Sequence, residues 1–259
     1  MHMESAISPR RGIAFNPCWS GKARNATQAP TDAAPGSNIA RLITDFPITH
    51  RRLKMGDFLF RAGGEFSSFY VLNAGFIRTF SVSEDGQERT VGFHLRGDIL
   101  GLEAIATGTY GCDAVALDVC DVLAIPYDTV IEHGSRNPDL VREIHRAFSA
   151  EIRSDRDLML NLSNLPADGR VAAFLLELSQ RFGSRGFSAT ELQLRLTRQE
   201  IGSMLGLKLE TVSRAFSRFA KLGLISVDLR QIVLRDIDGL REMVDHPLEA
   251  ELRGALRAA

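Results

Sequence analysis

Tryptophan is almost absent, one residue in 259, and cysteine is scarce, with Cys18, Cys112 and Cys120 alone. Three thiols make a disulfide framework a poor expectation and suit a reducing cytoplasm. No apolar run approaches the ~18 residues that a membrane span needs, so no membrane partner is expected. The opening segment, MHMESAISPRRGIAF, lacks the apolar stretch of a secretory signal, and the expected location is cytoplasmic. An excess of one charge is missing too. Lys and Arg number 31 against 32 Asp and Glu, a formal net charge of -1, which taken alone argues against a nucleic-acid partner. No G-x-S-x-G, P-loop, H-E-x-x-H or paired-acid constellation is present, so the reading is not an enzyme. What remains is ordinary for a globular protein: 44% hydrophobic and 24% charged residues, in a length suited to one large domain or two ordinary ones.

The composition changes along the chain. Residues 1–38 read as a flexible tail, because SGKARNATQAPTDAAPGSN has no apolar period and too little to bury. Ile39–Phe46 is a short helix candidate ahead of Pro47. From about Arg52 to Pro126, apolar runs alternate with Gly and Asp: DFLF, FYVLNAGFIRTFSV, TVGFHL, ILGLEAIA and DAVALDVCDVLAIP. That spacing predicts an antiparallel sandwich or barrel, with Asp85-Gly86 as a hairpin turn.

Beyond Pro126 the period turns helical. Leu140, Ile144, Phe148, Ile152, Leu158 or Met159, and Leu162 recur every three or four residues. Asn137 and Pro138 suit the start and Pro166 the stop, giving roughly 27 residues, or about 40 Å. A helix this long with a narrow stripe packs along a domain or pairs with its own copy. A second helix (Asp168–Phe182), a Gly-rich turn, a short strand (Leu192–Leu196), two helices and two β-like runs (Leu224–Val227, Gln231–Leu234) follow. Strands first and helices after make the fold α+β.

The most informative segment is LTRQEIGSMLGLKLETVSRAFSRFAKLGLI. Thr197 is a fitting N-cap, and Glu200 three residues on completes a capping box. Ile201, Met204 and Leu205 form an apolar face, and Gly206 permits a sharp turn. Val212, Phe216 and Phe219 or Ala220 anchor a second helix, whose other face holds Glu210, Thr211, Ser213, Arg214, Ser217, Arg218 and Lys221. Two short helices joined at a glycine describe a helix-turn-helix, and the strand pair after them makes it winged. Arg214 can pair with guanine, Glu210 with cytosine, and Ser213 with a base edge. Thr197, Arg198, Ser217, Arg218 and Lys221 suit phosphates. A solvated amphipathic hairpin is the bland alternative, but residues 195–235 hold eight basic and three acidic residues, a local +5.

Together with GDFLFRAGG, FYVLNAGFIRTF, GFHLRGDILGLEAI, EIRSDRDLMLNLS and RVAAFLLELSQRFGSRGFS, that segment resembles the Crp/Fnr superfamily of bacterial transcription regulators, most closely its FNR-like branch. The resemblance covers about Phe46–Val244. It implies an N-terminal cyclic-nucleotide-binding-type β-roll, a long dimerisation helix and a C-terminal winged helix-turn-helix. On that basis the chain divides into 1–38 (tail), 39–136 (β-roll sensor), 137–165 (dimerisation helix), 166–245 (DNA-binding unit) and 246–259 (C-terminal tail). It further implies that Glu210, Ser213 and Arg214, as E-x-x-S-R, read a TTGAT half-site in double-stranded DNA. A homodimer and a contact with RNA polymerase are implied as well. Leu209 stands where the cyclic-AMP branch has arginine, which favours FNR-like specificity.

The effector side departs from the family. Leu102 falls where a ribose-binding glutamate belongs, with Glu103 one place off, and Cys112, beside Asp113, falls where a phosphate-binding arginine belongs. FNR proper holds an iron–sulfur cluster on four cysteines. Here only Cys18 lies in the tail, and the fourth-ligand position falls on Leu123, three residues after Cys120, so that cluster is in doubt. Cys18, Cys112 and Cys120 offer a redox pair or an unusual metal site, although Cys120 in an apolar run reads as a buried inert thiol. No histidine spacing suggests a metal. Haem stays open, as do another small-molecule ligand and a FixK-like regulator that needs no effector.

Dimerisation is the expected control point, through Ile144, Phe148, Ile152, Asp155, Met159 and Leu162. Asp155 interrupts the apolar stripe. In a parallel pair its two copies, about 6 Å apart at an effective dielectric of ~20, would repel by roughly 3 kcal/mol. The resemblance implies that Asp155 opposes dimerisation and Ile152 supports it. Equally, Asp155 faces water or pairs with Arg153, Arg156 or Arg170.

Overall fold

The computed structural model describes residues 48–246. The tail at 1–38, the helix at Ile39–Phe46, Cys18 and the C-terminal tail after His246 lie outside the described residues.

The first half folds as two antiparallel four-stranded sheets. One has the order β1-β8-β3-β6, from β1 (Thr49–Leu53), β8 (Cys120–Pro126), β3 (Ser68–Ala74) and β6 (Ile99–Leu100). The other has the order β2-β7-β4-β5, from β2 (Phe58–Phe60), β7 (Asp113–Ala116), β4 (Ile77–Val82) and β5 (Glu88–His94). Asp85-Gly86 does turn the β4–β5 hairpin, with Gly86 at φ +78° and Val82 opposite Glu88.

Two apolar runs that read as continuous are each two strands. FYVLNAGFIRTFSV breaks at Gly75, whose φ is +93° and where a Cβ would stand 2.6 Å from Cys120 Sγ. DAVALDVCDVLAIP breaks between Ala116 and Cys120. ILGLEAIA is mostly not strand: Gly101, at φ +86°, ends β6 after two residues, and a 3-10 turn follows at Glu103–Ala106. Between the sheets, Leu72, Ile77, Ala114 and Val122 are fully buried. Aromatic rings fill the rest, with Phe60 stacked on Tyr110 at 4.1 Å and Tyr70 beside both.

A short helix, α1 (Tyr127–Gly134), precedes the long one, α2 (Pro138–Asn164). Asn137 caps α2 by accepting from Leu140 N, and Pro138 opens it. The first half of α2 lies on the roll, burying Leu140, Ile144 and Ala147 among Phe69, Val71, Leu123 and Ile125. Its second half does not, and Ile152 and Met159 are 50% and 65% exposed.

The remaining elements are α3 (Ala167–Ser184), β9 (Glu191–Gln193), α4 (Arg198–Leu205), α5 (Leu209–Lys221), β10 (Ile225–Asp228), β11 (Gln231–Leu234) and α6 (Ile237–Asp245). The strand expected at Leu192–Leu196 runs instead over Glu191–Gln193, with Leu192, Leu194 and Leu196 all in the core beneath the helices. α6 was not anticipated; Asp236 caps it by accepting from Gly239 N. Phe93 and Leu95 of the roll belong to the same core cluster as α3, α4 and α5. The roll and the winged helix therefore share apolar packing.

Candidate nucleic-acid interface

The helix pair forms for local reasons. Thr197 N donates to Glu200 Oε2 at 2.7 Å, and Glu200 N donates back to Thr197 Oγ1 at 3.2 Å, closing the capping box on α4. Gly206 ends α4 in the left-handed region at φ +64°. Gly202 lets the turn come close, since a Cβ there would stand 2.6 Å from the Leu207 carbonyl oxygen.

Val212, Ala215, Phe216 and Phe219 bury the inner face of α5; Ala220, the other candidate for that face, is exposed. Glu210, Arg214, Ser217, Arg218 and Lys221 are exposed on the outer side, and Ser213 is half-buried. Arg214 Nε donates to the Glu210 carbonyl oxygen at 3.3 Å, which leaves its terminal nitrogens for another acceptor. Ser217 instead bonds the Ser213 carbonyl oxygen, at 3.0 Å.

The cations divide into two groups. Arg198 lies flat over Phe216, 3.4 Å from the ring centroid, and burial pushes its pKa down to about 10, so it stays charged at neutral pH. Arg218 is paired with Asp168 at 2.5 Å. Arg195 turns toward the roll, where it meets Asp118 at 2.6 Å. Lys208, Arg214, Lys221 and Arg230 are exposed. Arg230 sits at the tip of the β10–β11 hairpin beside Leu229, which is 93% exposed and held at φ +51°. A leucine in that backbone region is strained.

The winged helix is fastened to the roll by contacts that sequence reading missed. Ser203 Oγ accepts from Thr90 N at 3.0 Å and donates to the Glu88 carbonyl oxygen at 3.2 Å. Arg78 of β4 lies between Glu88 (2.6 Å) and Glu200 (3.2 Å). Arg181 of α3 and Arg185 just past its end both grip Asp98. An arginine within the strand-like run IRTFSV and an arginine pair four residues apart were the available signals.

On α2, the expected stripe splits. Ile144 and, in part, Phe148 belong to the roll's own core. Ile152, Asp155 and Met159 are exposed and Leu162 is half-buried. Among the described residues Asp155 has no ion-pair partner. Arg170 is occupied instead with the Leu165 and Leu205 carbonyl oxygens, at 2.9 and 3.2 Å.

The effector positions do not fit a cyclic nucleotide. Leu102 is 2% exposed and offers no hydrogen bond to a ribose. Cys112 Sγ lies 3.8 Å from Glu103, and burial together with that carboxylate pushes its thiol up to about 12. A neutral thiol between Glu103 and Asp113 cannot hold a phosphate. A four-thiolate cluster does not fit either. Leu123 is packed in the core, while Cys120 is buried on the sheet's other side with its sulfur against the Phe76 and Asp118 carbonyl oxygens. Burial also pushes the Cys120 thiol up. His94 is half-buried against Thr79, and desolvation pushes its pKa down to about 4. Among the described residues no cluster of three His, Cys, Asp or Glu side chains could hold a metal ion.

Residues 169–243 match the Crp-like helix-turn-helix domain, and residues 50–137 match the cyclic nucleotide-binding domain. The chain is 44% identical over 186 residues to the transcriptional activator protein anr of Pseudomonas aeruginosa, covering 72% of this chain and 76% of that one. It is 39% identical over 194 residues to the fumarate and nitrate reduction regulatory protein of Escherichia coli, covering 75% and 78%. The structure of FixK2 from Bradyrhizobium japonicum superimposes with a TM-score of 0.68 at 29% identity, over 75% of this chain and 96% of that one. With the roll, the long helix and the winged helix in this order, the chain belongs to the Crp/Fnr family of transcription regulators, among its FNR-like members.

Proposed function

We propose that this regulator binds a TTGAT-N4-ATCAA-like palindrome as a homodimer in the cytoplasm, most often to activate transcription with RNA polymerase during low-oxygen or redox adaptation. The observation that carries the reading is the E-x-x-S-R on the outer side of α5, with Glu210 and Arg214 exposed and Ser213 half-buried, opposite the buried Val212, Ala215, Phe216 and Phe219. Glu210, Ser213 and Arg214 read bases; Thr197, Arg198, Ser217, Arg218 and Lys221 meet phosphates, with Arg198 and Arg218 acting through the positions that Phe216 and Asp168 fix. Residues 39–136 form the effector unit, 137–165 the dimerisation helix and 166–245 the DNA-binding unit. The chain acts by binding rather than catalysis. Names among its relatives support activation and an anaerobic role.

Anisotropy titrations on that duplex and on single-base variants test the reading. Arg214→Ala costs about 1–3 kcal/mol and relaxes selectivity at one base pair. Equal weakening on every sequence would remove Arg214 from base reading.

A second reading concerns the signal: the regulator works without a bound effector, as FixK-like members do. The buried Leu123, the occupied Cys120 sulfur and the ring-filled roll interior favour it. An absorption spectrum of protein purified without oxygen, with iron, sulfide and haem assays, decides. A colourless, metal-free protein that binds the duplex agrees; a stoichiometric cluster or haem refutes it.

A further inference from the structure

The two oxygens of the Glu200 carboxylate have different tasks. Oε2 closes the capping box, accepting from Thr197 N at 2.7 Å and from Thr197 Oγ1 at 2.9 Å. Oε1 faces the roll, 3.2 Å from Arg78 Nε. Arg78 is itself a stiff arm. It is 8% exposed, its guanidinium lies over the Phe80 ring at 4.3 Å, and its far nitrogen meets Glu88 at 2.6 Å. The same residues line a cleft of about 210 Å³ with Thr90, Thr197, Gln199 and Ser203. The outer face of α5 takes no part in this junction, so the docked arrangement leaves Glu210 and Arg214 free.

We infer that Arg78 is a positioning residue for DNA binding: through Glu200 it sets the N-terminus of α4, which carries Thr197 and Arg198, without touching DNA itself. The inference rests on assigning that N-terminus to the phosphate backbone. A capping box alone frays with its helix. One whose glutamate is also ion-paired, by distance though not by hydrogen-bond geometry, to a buried arginine of the roll holds its first turn in place relative to the roll. Preorganised donors at the phosphate save the ordering cost that a loose turn would incur on binding.

The test is operator affinity of the full-length chain on the TTGAT-N4-ATCAA duplex at fixed salt. Arg78→Ala lowers affinity about tenfold. Glu200→Gln, whose amide oxygen still accepts from Thr197 N, loses a similar factor, and the double variant loses no more than either alone. Arg78→Lys recovers part of the loss. Amide hydrogen exchange speeds up at Glu200 and Ile201, whose amides bond to Thr197, and not along α5, which a general loss of stability would not produce. If Arg78→Ala does not fold, the cycle is run with Arg78→Lys. Wild-type affinity in a folded Arg78→Ala, or penalties that multiply in the double variant, overturns the coupling. Arg214→Ala separates the two levels. If it weakens binding while Arg78→Ala does not, the coupling alone has failed. If neither weakens it, the interface assignment has failed, and the inference with it.

Discussion

Arg181 donates to Asp98 Oδ2 at 2.8 Å, joining the end of α3 to the turn after β5 across 83 residues of chain. Arg185 binds the same carboxylate from its other oxygen, and Arg181 also donates to the Phe93 carbonyl oxygen at 2.6 Å. Burial pushes the Asp98 carboxyl up, but the two guanidiniums prevail and hold it below the usual range. Replacing Asp98 by Ala strands both cations in a partly dry site and lowers stability by about 3 kcal/mol, measured by urea denaturation. Because the folded carboxyl titrates low, its contribution is complete above the ordinary value of 3.8 and fades as pH falls through the lower folded value. Asp98→Ala therefore loses part of the acid sensitivity of the parent.

Gly202→Ala decides between two opposed effects. Alanine in a helix is ordinarily favoured over glycine by about 0.5–1 kcal/mol. Here its Cβ would meet the Leu207 carbonyl oxygen at 2.6 Å, and backbone must shift. The clash wins, lowering stability by about 1–3 kcal/mol in thermal denaturation. A rise in melting temperature would show that the turn after α4 yields.

Glu151 on α2 gives the fold a pH dependence near neutrality. Burial, with the nearby carboxylates Glu103, Asp155 and Asp98, raises its pKa from 4.5 to about 7. A raised folded value means that the native chain keeps a proton that the unfolded chain has released. Stability is then complete below about pH 4.5 and declines as pH rises through about 7. Glu151→Gln removes that decline, read as a flatter plot of unfolding free energy against pH. An identical slope in both proteins refutes the assignment.

Asp155 lies between the exposed Ile152 and Met159 on the part of α2 that the roll leaves uncovered. Asp155→Ala removes a like-charge contact between copies and tightens the dimer, raising DNA binding without a signal. Sedimentation velocity and operator titration check it. Unchanged values in both would place Asp155 outside the seam.

Local features were legible and distant ones were not. The Thr197–Glu200 capping box and Gly206 lie within one short segment, so spacing alone identified them. Periodicity left Phe219 and Ala220 undecided because a 3.6-residue turn lets either approach the inner face; Phe219, fully buried, takes it. Ile144 fitted the α2 stripe, yet the stripe serves two neighbours in succession, the roll first and then open surface. The local +5 counted Arg195, which the fold spends on Asp118 of the roll. Arg78–Glu200 and Arg181–Asp98 join residues far apart in sequence, and a single sequence holds no record of such pairings.

β5 is the last strand of its sheet, and the hydroxyl of Ser203 takes up one amide and one carbonyl along that border. Cut away from the winged helix, the roll would offer this border to any passing extended chain. Grafting a different DNA-reading module onto this roll therefore requires a replacement for that hydroxyl, or the chimera will stick to itself before it finds an operator.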